Sequence, residues 1–224
     1  PIPTNLPTAS DNCDSQVSIS VVQTTIPGPC LNSYIVKRVF EAVDNCGNKS
    51  NATQNVSVID NTPPVLVGVP SPDITINCTD PLPVVPVVTV VDECNPNIQV
   101  VFSETKQNGN CEGSYTLIRK WEANDGCGNS ISKTHRIVVI DVTPPVITNV
   151  PNDITIQCTE TVPNSQPTAI DLCTTKTTLK QNQQKVPGVC EMSYILINTW
   201  TASDDCGNTT SATQKITVVD DKSP

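Results

Sequence analysis

The sequence predicts an all-β protein made of tandem, disulfide-bonded β-sandwich domains. Three observations lead to this prediction. The corner DNCGNK at 44–49 recurs as DGCGNS at 125–130 and as DDCGNT at 204–209, so the chain is internally repeated. Its 224 residues include 20 prolines and 11 cysteines, and only 3% of them are aromatic. Short strands, frequent turns and disulfides explain this composition better than helices do.

The composition also excludes some classes of partner. Asp and Glu outnumber Lys and Arg by 22 to 13, which gives a net charge of -9. Nucleic acids and anionic membrane surfaces both require clustered cations, so neither is an expected partner. The sequence has no apolar run of about 18 residues, so we expect no membrane span in this segment.

Each complete repeat carries four cysteines, an arrangement that fixes the predicted domain boundaries. The predicted units are 1–60, 61–141 and 142–221, and 222–224 would start the next linker. The first unit has only Cys13, Cys30 and Cys46. By the spacing of the other repeats, its first cysteine would fall just before Pro1. We therefore expect the first unit to be truncated at its N-terminus and the partner of Cys30 to be missing.

The strand pattern within a repeat predicts an immunoglobulin-like sandwich. In the second unit the predicted strands are DITINC, PVVTVVDEC, IQVVFSETK, SYTLIRKWEAND and SISKTHRIVVID. Alternate residues of the S-Y strand, from Tyr115 through Leu117 to Trp121, would face the core. Arg119 and its counterpart Asn198 interrupt that apolar face, and the sequence gives no reason for them.

The cysteines are predicted to form disulfides because zinc sites favour closely spaced pairs with histidine, whereas these cysteines lie 15 to 17 residues apart. Four cysteines allow three connectivities, and strand alternation favours the one that joins cysteines at the same pole of a sandwich. The first strand would end at the pole far from the preceding linker, and the second would return to the near pole. The predicted disulfides are Cys13–Cys46, Cys78–Cys111, Cys94–Cys127, Cys158–Cys190 and Cys173–Cys206.

Two Asp-x-Cys corners in each repeat suggest a candidate metal site. The near-pole aspartates would meet the aspartate that ends the last strand of the preceding unit. Carboxylate clusters of this kind suit Ca²⁺, which would be the one candidate cofactor and is not required by the fold. The alternative is that each aspartate caps its own turn. The two candidate clusters are Asp60, Asp92, Asp125 and Asp141, Asp171, Asp204.

Catalytic chemistry has no support among the residues. The one histidine, His135, is replaced by Gln54 and Gln214 in the sibling repeats, so we expect a polar strand residue. No phosphate-binding loop, dinucleotide fingerprint, nucleophile elbow or zinc-protease motif is present. We therefore expect a protein that is not an enzyme and has no catalytic residues.

The motifs A-x-D-x-C, G-x-C-x-x-S-Y, W-x-A-x-D-x-C-G-N and V-x-D-x-x-P-P resemble the HYR-like, immunoglobulin-like repeats of very large secreted surface proteins of Bacteroidetes, which include the SprB-like gliding adhesins. The resemblance covers the whole chain, although Phe40 stands in place of tryptophan in the first unit. It implies an extracellular cell-surface protein and the stalk or filament of an adhesin used in attachment or gliding motility.

The expected partners are neighbouring repeats of the same long chain, with surface polysaccharide or other cell-surface proteins as candidate ligands. The short linkers NTPPV and VTPPV are restricted by proline and should hold the units in an extended row. Two alternatives stay open, namely a carbohydrate-binding repeat module and the accessory domains of a secreted enzyme. A carbohydrate site would need exposed aromatic residues, yet each Tyr and Trp falls at a repeated position that looks buried.

Overall fold

The computed structural model describes residues 5–221, and all regular structure in that range is β-strand. The described residues contain no helix that could cross a membrane. The predicted linker at 222–224 and the first four residues of the predicted first unit lie outside the described range.

The first repeat forms one antiparallel sheet of three strands. Its strands are β1 (Ser18–Pro27), β2 (Tyr34–Val43) and β3 (Lys49–Val58), in the order β1-β2-β3. Alternate residues of the central strand β2 turn inward, and Val36 and Phe40 are buried.

The second and third repeats each contain a four-stranded and a two-stranded sheet. In the second repeat the order is β5-β9-β8-β7 beside β4-β6, and in the third it is β11-β15-β14-β13 beside β10-β12. In the four-stranded sheets β5 runs parallel to its neighbour β9, and β11 runs parallel to its neighbour β15. The other registered pairs of these two repeats are antiparallel. The chain therefore consists of tandem β-sandwich domains, as predicted. The strands are β4 (Val65–Val67), β5 (Ile74–Asn77), β6 (Thr89–Val91), β7 (Val101–Asn108), β8 (Tyr115–Asn124), β9 (Ser130–Ile140), β10 (Val146–Thr148), β11 (Ile154–Gln157), β12 (Thr168–Ile170), β13 (Thr177–Pro187), β14 (Tyr194–Asp204) and β15 (Thr209–Val219).

The predicted inward face of the S-Y strand is the core of each complete repeat. Trp121 in β8 and Trp200 in β14 are each 2% exposed. Trp121 packs with Leu66 of β4, and its ring centroid lies 5.3 Å from that of Phe102. Burial of a large aromatic side chain stabilises a small sandwich strongly, because each such ring removes a large apolar area from water.

The polar residues that interrupt this face have partners in the structure. Arg119 is 4% exposed, and its Nε donates to Glu104 Oε2 at 2.8 Å. In the third repeat Asn198 accepts a hydrogen bond from Gln183 at 2.8 Å and donates one to Gln214 at 3.3 Å. Each complete repeat therefore carries, among the apolar residues of its core, a buried polar side chain that makes hydrogen bonds.

The chain divides into two compact units whose boundary runs through the second repeat. The first unit contains the chain up to Val69 together with Pro86–Phe102 and Lys120–Lys133. The second contains Pro70–Val85, Ser103–Arg119 and the chain from Thr134 onward. The first unit thus contains Asp60, just after β3, and the Asp-x-Cys corners of the second repeat at Asp92 and Asp125; we call this place the first junction. The second unit contains Asp141, just after β9, and the corners of the third repeat at Asp171 and Asp204; we call this place the second junction.

The disulfides correct the predicted pairing, because each one joins cysteines from consecutive repeats. Their Cα–Cα distances are 5.1, 5.8 and 5.2 Å, and they close sequence separations of 97, 95 and 95 residues. Cys13, Cys46, Cys94, Cys158 and Cys190 carry no disulfide. None of the five predicted pairs, Cys13–Cys46, Cys78–Cys111, Cys94–Cys127, Cys158–Cys190 and Cys173–Cys206, is present. The disulfides among residues 5–221 are Cys30–Cys127, Cys78–Cys173 and Cys111–Cys206. The prediction that the partner of Cys30 is missing is therefore also wrong, because the second repeat supplies it.

Strand order explains why cysteines at the same pole do not pair. Cys78 follows β5 and Cys111 precedes β8, but β9 lies between these two strands. Two strand spacings amount to about 9.5 Å, whereas a disulfide needs Cα atoms within about 7 Å. Cys127 bonds to Cys30 of the preceding repeat, which leaves Cys94 without a disulfide. Cysteines of a neighbouring repeat therefore supply the partners of Cys78, Cys111 and Cys127.

Candidate functional site

The aspartates of the Asp-x-Cys corners cap their own turns. Asp92 Oδ1 accepts from the backbone N–H groups of Cys94 at 2.9 Å and Asn95 at 2.7 Å. Asp171 Oδ1 accepts in the same way from Cys173 at 2.7 Å and Thr174 at 3.2 Å. These bonds are those of an Asx-turn, the alternative that the sequence left open.

The D-x-C-G-N corner has a second hydrogen-bond set that reaches the preceding repeat. Asp125 Oδ1 accepts from the N–H groups of Cys127 and Asn129 at 2.7 and 3.0 Å. The Asn129 side chain donates to Asp125 Oδ2 at 2.5 Å and to the carbonyl of Asp60 at 3.2 Å. At the second junction Asn208 likewise donates to the carbonyl of Asp141 at 3.2 Å. The asparagine of this motif therefore ties the corner to the end of the previous last strand.

Burial and hydrogen bonding act in opposite directions on Asp125, which is 2% exposed. Burial raises the pKa of its carboxyl group, but the hydrogen bonds from Asn129 and Cys127 together lower the pKa by more than burial raises it. The net pKa therefore lies below the ordinary value. Asp125 is consequently held as a carboxylate by its own turn.

The G-x-C-x-x-S-Y motif forms the turn that presents the third cysteine of each repeat. In the second repeat Gly109 N–H donates to the carbonyl of Ser114 at 2.9 Å, and Ser114 N–H donates to that of Cys111 at 3.2 Å. A Cβ at Gly109 would overlap the Ser114 side chain, so this position requires glycine. The same bonds recur around Cys30 and Cys190.

The second junction brings together the predicted cluster of Asp141, Asp171 and Asp204. One carboxylate oxygen from each lies within 4.8 Å of the others. Asp141 is 7% exposed, and its Oδ2 has no hydrogen-bond partner within the described residues, as is true of Asp171 Oδ2. Burial raises the pKa of Asp141, and the charges of Asp171, Asp204 and Asp205 add to the effect. Buried carboxylate oxygens without donors are the donor set that a hard cation would satisfy.

The first junction is less convergent. Asp60 groups with Asp125 and Cys127 within 4.8 Å, and in a separate set with Asp92 and Cys94. Asp60 is half-buried, and its Oδ2 also lacks a hydrogen-bond partner within the described residues. Asp60 therefore lies near each of the other two predicted aspartates, but the three carboxylates do not form one group as those of the second junction do.

A polar network at the second junction was missed by sequence reasoning. Thr174 is 5% exposed, and its hydroxyl lies 3.0 Å from Glu112 Oε2 and 2.9 Å from Asp205 Oδ1. The backbone N–H of Glu112 donates to Asp205 Oδ2 at 3.0 Å. These residues flank Cys173, Cys111 and Cys206, so their position next to a cysteine was the only available signal.

His135 and both tryptophans are buried, whereas Phe102 is 40% exposed. His135 lies in β9 and is 3% exposed, and its Nδ1 has no hydrogen-bond partner in the described part of the chain. Lys106 Nζ and Lys185 Nζ lie 3.9 Å from the ring centroids of Tyr115 and Tyr194, respectively, and so cover the rings.

Comparison with known proteins agrees with the four-cysteine pattern. Residues 69–140 match the family model of the HYR-like domain with 4 cysteines. The second repeat is HYR-like. The chain is also 30% identical over 229 residues to hyalin of Lytechinus variegatus, an alignment that covers 96% of this chain and 42% of hyalin. The chain therefore spans less than half the length of that relative.

Several solved structures of cadherin ectodomains resemble the chain weakly. Mouse clustered protocadherin PcdhgC3 EC1-3 is 15% identical with a TM-score of 0.35, and the match covers 86% of this chain and 79% of that one. Drosophila N-cadherin EC1-4 is 14% identical with a TM-score of 0.28, covering 94% and 69% of the two chains. These scores are too low to establish a shared domain arrangement.

Proposed function

We propose that this chain is a structural segment of an extracellular, adhesion-type protein whose consecutive repeats are fastened to one another by disulfides. The observation that carries the proposal is the pair Cys78–Cys173 and Cys111–Cys206, because both bonds join the second repeat to the third. Disulfides persist in oxidising compartments, which supports a secreted, cell-surface location.

In its finer form, the proposal is the stalk or filament of a secreted bacterial surface adhesin that serves attachment or gliding motility. The resemblance of the repeat motifs to Bacteroidetes surface proteins supports this form. The partners would be neighbouring repeats of the same chain, here divided as 1–60, 61–141 and 142–221. By the pairing rule of the second junction, Cys158 and Cys190 would bond to the second and fourth cysteines of a further repeat.

Stretching single molecules tests the structural role. With all three disulfides intact, the shortest covalent path along the chain crosses Cys30–Cys127, runs back to Cys111 and crosses Cys111–Cys206. At roughly 3.5 Å per extended residue, a path that bypasses about 160 residues should make the oxidised chain release about 55 nm less contour length than the reduced chain. Cys94→Ser is the matched control, because Cys94 carries no disulfide and its loss should leave the oxidised length unchanged. Equal lengths for the oxidised and reduced chains would contradict the proposal.

Neither alternative function has a specific observation in its favour. A carbohydrate-binding repeat would present aromatic side chains, but both tryptophans are 2% exposed. Binding of the chain to a glycan array would support that alternative. The presence of a catalytic domain in the same polypeptide would support the other alternative, in which these repeats are accessory domains of a secreted enzyme.

We also infer that the second junction holds Ca²⁺ between Asp141, Asp171 and Asp204. The buried oxygens without donors on Asp141 and Asp171 support this inference. Ca²⁺ takes six to eight oxygen ligands, so backbone carbonyls and water would complete the shell. The two positive charges of the ion would offset most of the repulsion among the three carboxylates.

The calcium inference predicts opposite responses from wild type and a variant. Asp141→Asn keeps the Oδ1 acceptor but removes one buried charge. In EGTA the variant should therefore melt at a higher temperature than wild type, whereas Ca²⁺ should raise the melting temperature of wild type alone. Asp220→Asn, at the equivalent but exposed position of the third repeat, should respond to Ca²⁺ as wild type does. A wild-type melting curve unchanged by Ca²⁺ would contradict the inference.

A further inference from the structure

The outer edge of β7, in the middle repeat, is open along the strand. β7 stands last in the sheet order β5-β9-β8-β7, so no described strand pairs with its far side. All eight of its residues are exposed. The backbone N–H and C=O groups of an uncovered edge bond readily to another strand unless charges or prolines oppose the approach. The side chains of β7 therefore decide what can pair with it.

The charges of β7 distinguish it from the equivalent edge strands of the other repeats. Glu104 and Lys106 lie two residues apart, so both face the same side of the sheet. The equivalent strand β1 of the first repeat has no charged residue. In the third repeat β13 has Lys180 and Lys185 and no acidic residue. Among these three strands, β7 alone combines an acidic and a basic side chain.

Both charged groups of β7 are held against their own sheet and remain accessible. Arg119 Nε donates to Glu104 Oε2 at 2.8 Å, and 36% of the Glu104 side chain is exposed. Lys106 Nζ lies 3.9 Å from the ring centroid of Tyr115, a contact that does not exhaust its three N–H donors. Each charge is therefore positioned before any partner strand arrives.

An antiparallel strand of the same sequence complements this pattern in one register. When Thr105 of one copy lies opposite Thr105 of the other, Glu104 of each copy faces Lys106 of the other, and Ser103 faces Gln107. Directly opposite side chains lie about 5 Å apart, so opposite charges and Thr–Thr pairs stabilise such a ladder. A shift of two residues either way would set Glu104 opposite Glu104 or Lys106 opposite Lys106, and like charges oppose pairing.

We propose that β7 is a surface for self-association, at which two copies of this chain pair their β7 strands antiparallel across a two-fold axis at Thr105. The pairing joins the two four-stranded sheets into one continuous sheet. The contact is small and therefore weak between free chains, and many copies held side by side strengthen it through their effective concentration. It goes beyond the proposed structural role, because it joins separate chains and needs no disulfide.

Sedimentation velocity over a range of chain concentrations tests the proposal on the full chain. Wild type should associate reversibly into dimers. Lys106→Glu should weaken the association at least about tenfold, because it sets like charges opposite each other at two places. Lys185→Glu is the matched control, because Lys185 lies over the Tyr194 ring at the same 3.9 Å and belongs to β13. This control should associate as wild type does.

Hydrogen exchange locates the contact in the wild-type chain. The amides of β7 should become more protected as the concentration rises, whereas those of β1 and β13 should not change. Four results would overturn the proposal: a wild-type chain that stays monomeric up to about 1 mM, undiminished association of Lys106→Glu, an equal loss in Lys185→Glu, or concentration-dependent protection that appears in β1 or β13 instead of β7.

Discussion

The two junctions are built from the same corners but are fastened to different degrees. The first has one disulfide, Cys30–Cys127, and an unpaired Cys94, whereas the second has both Cys78–Cys173 and Cys111–Cys206. The second also has the Thr174 network and three convergent carboxylates.

The disulfide count differs because Cys94 occupies the position of Cys173, and the cysteines of residues 1–60 include no counterpart of Cys78. Residue identities next to the cysteines explain the difference in polar contacts. The positions of Glu112, Thr174 and Asp205 are occupied at the first junction by Leu31, Asn95 and Gly126. At the first junction the Asn32 side chain instead donates to the carbonyl of Cys94. The disulfides and Asp-x-Cys corners thus define a junction, while the flanking residues set how many polar contacts and charges it holds.

The largest expected difference between the junctions comes from their disulfides. In the chain-entropy model, a loop of about 95 residues adds roughly 4–5 kcal/mol to the free energy of unfolding. Replacing Cys30 and Cys127 by serine should cost about that amount. Replacing all four bonded cysteines of the second junction should cost about twice as much. Guanidinium titration of both variants measures the two losses, and equal losses would contradict the comparison.

A smaller effect is expected where the backbone passes closest to the carboxylate cluster. A Cβ at Gly113 would lie 2.8 Å from Asp141 Oδ2 and 3.0 Å from Cys173 Cβ. Gly113→Ala should therefore destabilise the protein by about 1–3 kcal/mol through overpacking. The equivalent residue of the third repeat is Met192, which is 54% exposed. Met192→Ala is the control and should shift the denaturation midpoint little; an equal shift would argue against close packing at Gly113.

Acid should weaken the second junction through its polar network. Hydrogen bonds from Thr175 and Thr174 lower the pKa of Glu112, and the N–H of Glu112 lowers that of Asp205. A lowered carboxyl pKa stabilises the fold above the ordinary pKa, and this contribution is lost as the pH falls through the folded-state value. Glu112→Gln should therefore lower the melting temperature at pH 7, and the difference from wild type should shrink as the pH falls below the ordinary pKa of glutamate. Glu93→Gln, an exposed first-unit control, should leave the melting temperature unchanged at both ends of this pH range; a Glu112→Gln effect that does not shrink in acid would exclude this cause.

The smallest effect concerns the unpaired cysteine of the first junction. Burial raises the pKa of Cys94, and the charges of Asp60 and Asp92 raise it further. Its thiolate fraction at pH 8 is therefore reduced, so iodoacetamide should alkylate Cys94 more slowly than the exposed Cys190. Peptide mass spectrometry after timed quenching compares the two rates. Faster labelling of Cys94 would contradict the placement of this thiol between the two carboxylates.

The sequence predicted the repeats, the all-β class and the buried face that includes Leu117 and Trp121, because period-2 alternation depends only on neighbouring residues. It also predicted that Cys78 and Cys111 lie at the same end of a sandwich. It could not predict their partners, because a hydrophobic pattern does not specify that β9 lies between β5 and β8. Long-range strand order decided the disulfides, and the same order brought Thr174 between Glu112 and Asp205.

Disulfide mapping of the oxidised chain tests the central claim most directly. Proteolysis with thiols blocked, followed by mass spectrometry, should recover the cross-linked peptides Cys30–Cys127, Cys78–Cys173 and Cys111–Cys206, with Cys94 alkylated. Each of these bonds joins one repeat to the next. Recovery of Cys78–Cys111, Cys94–Cys127 and Cys173–Cys206 would show that every repeat is closed on itself and would contradict the account.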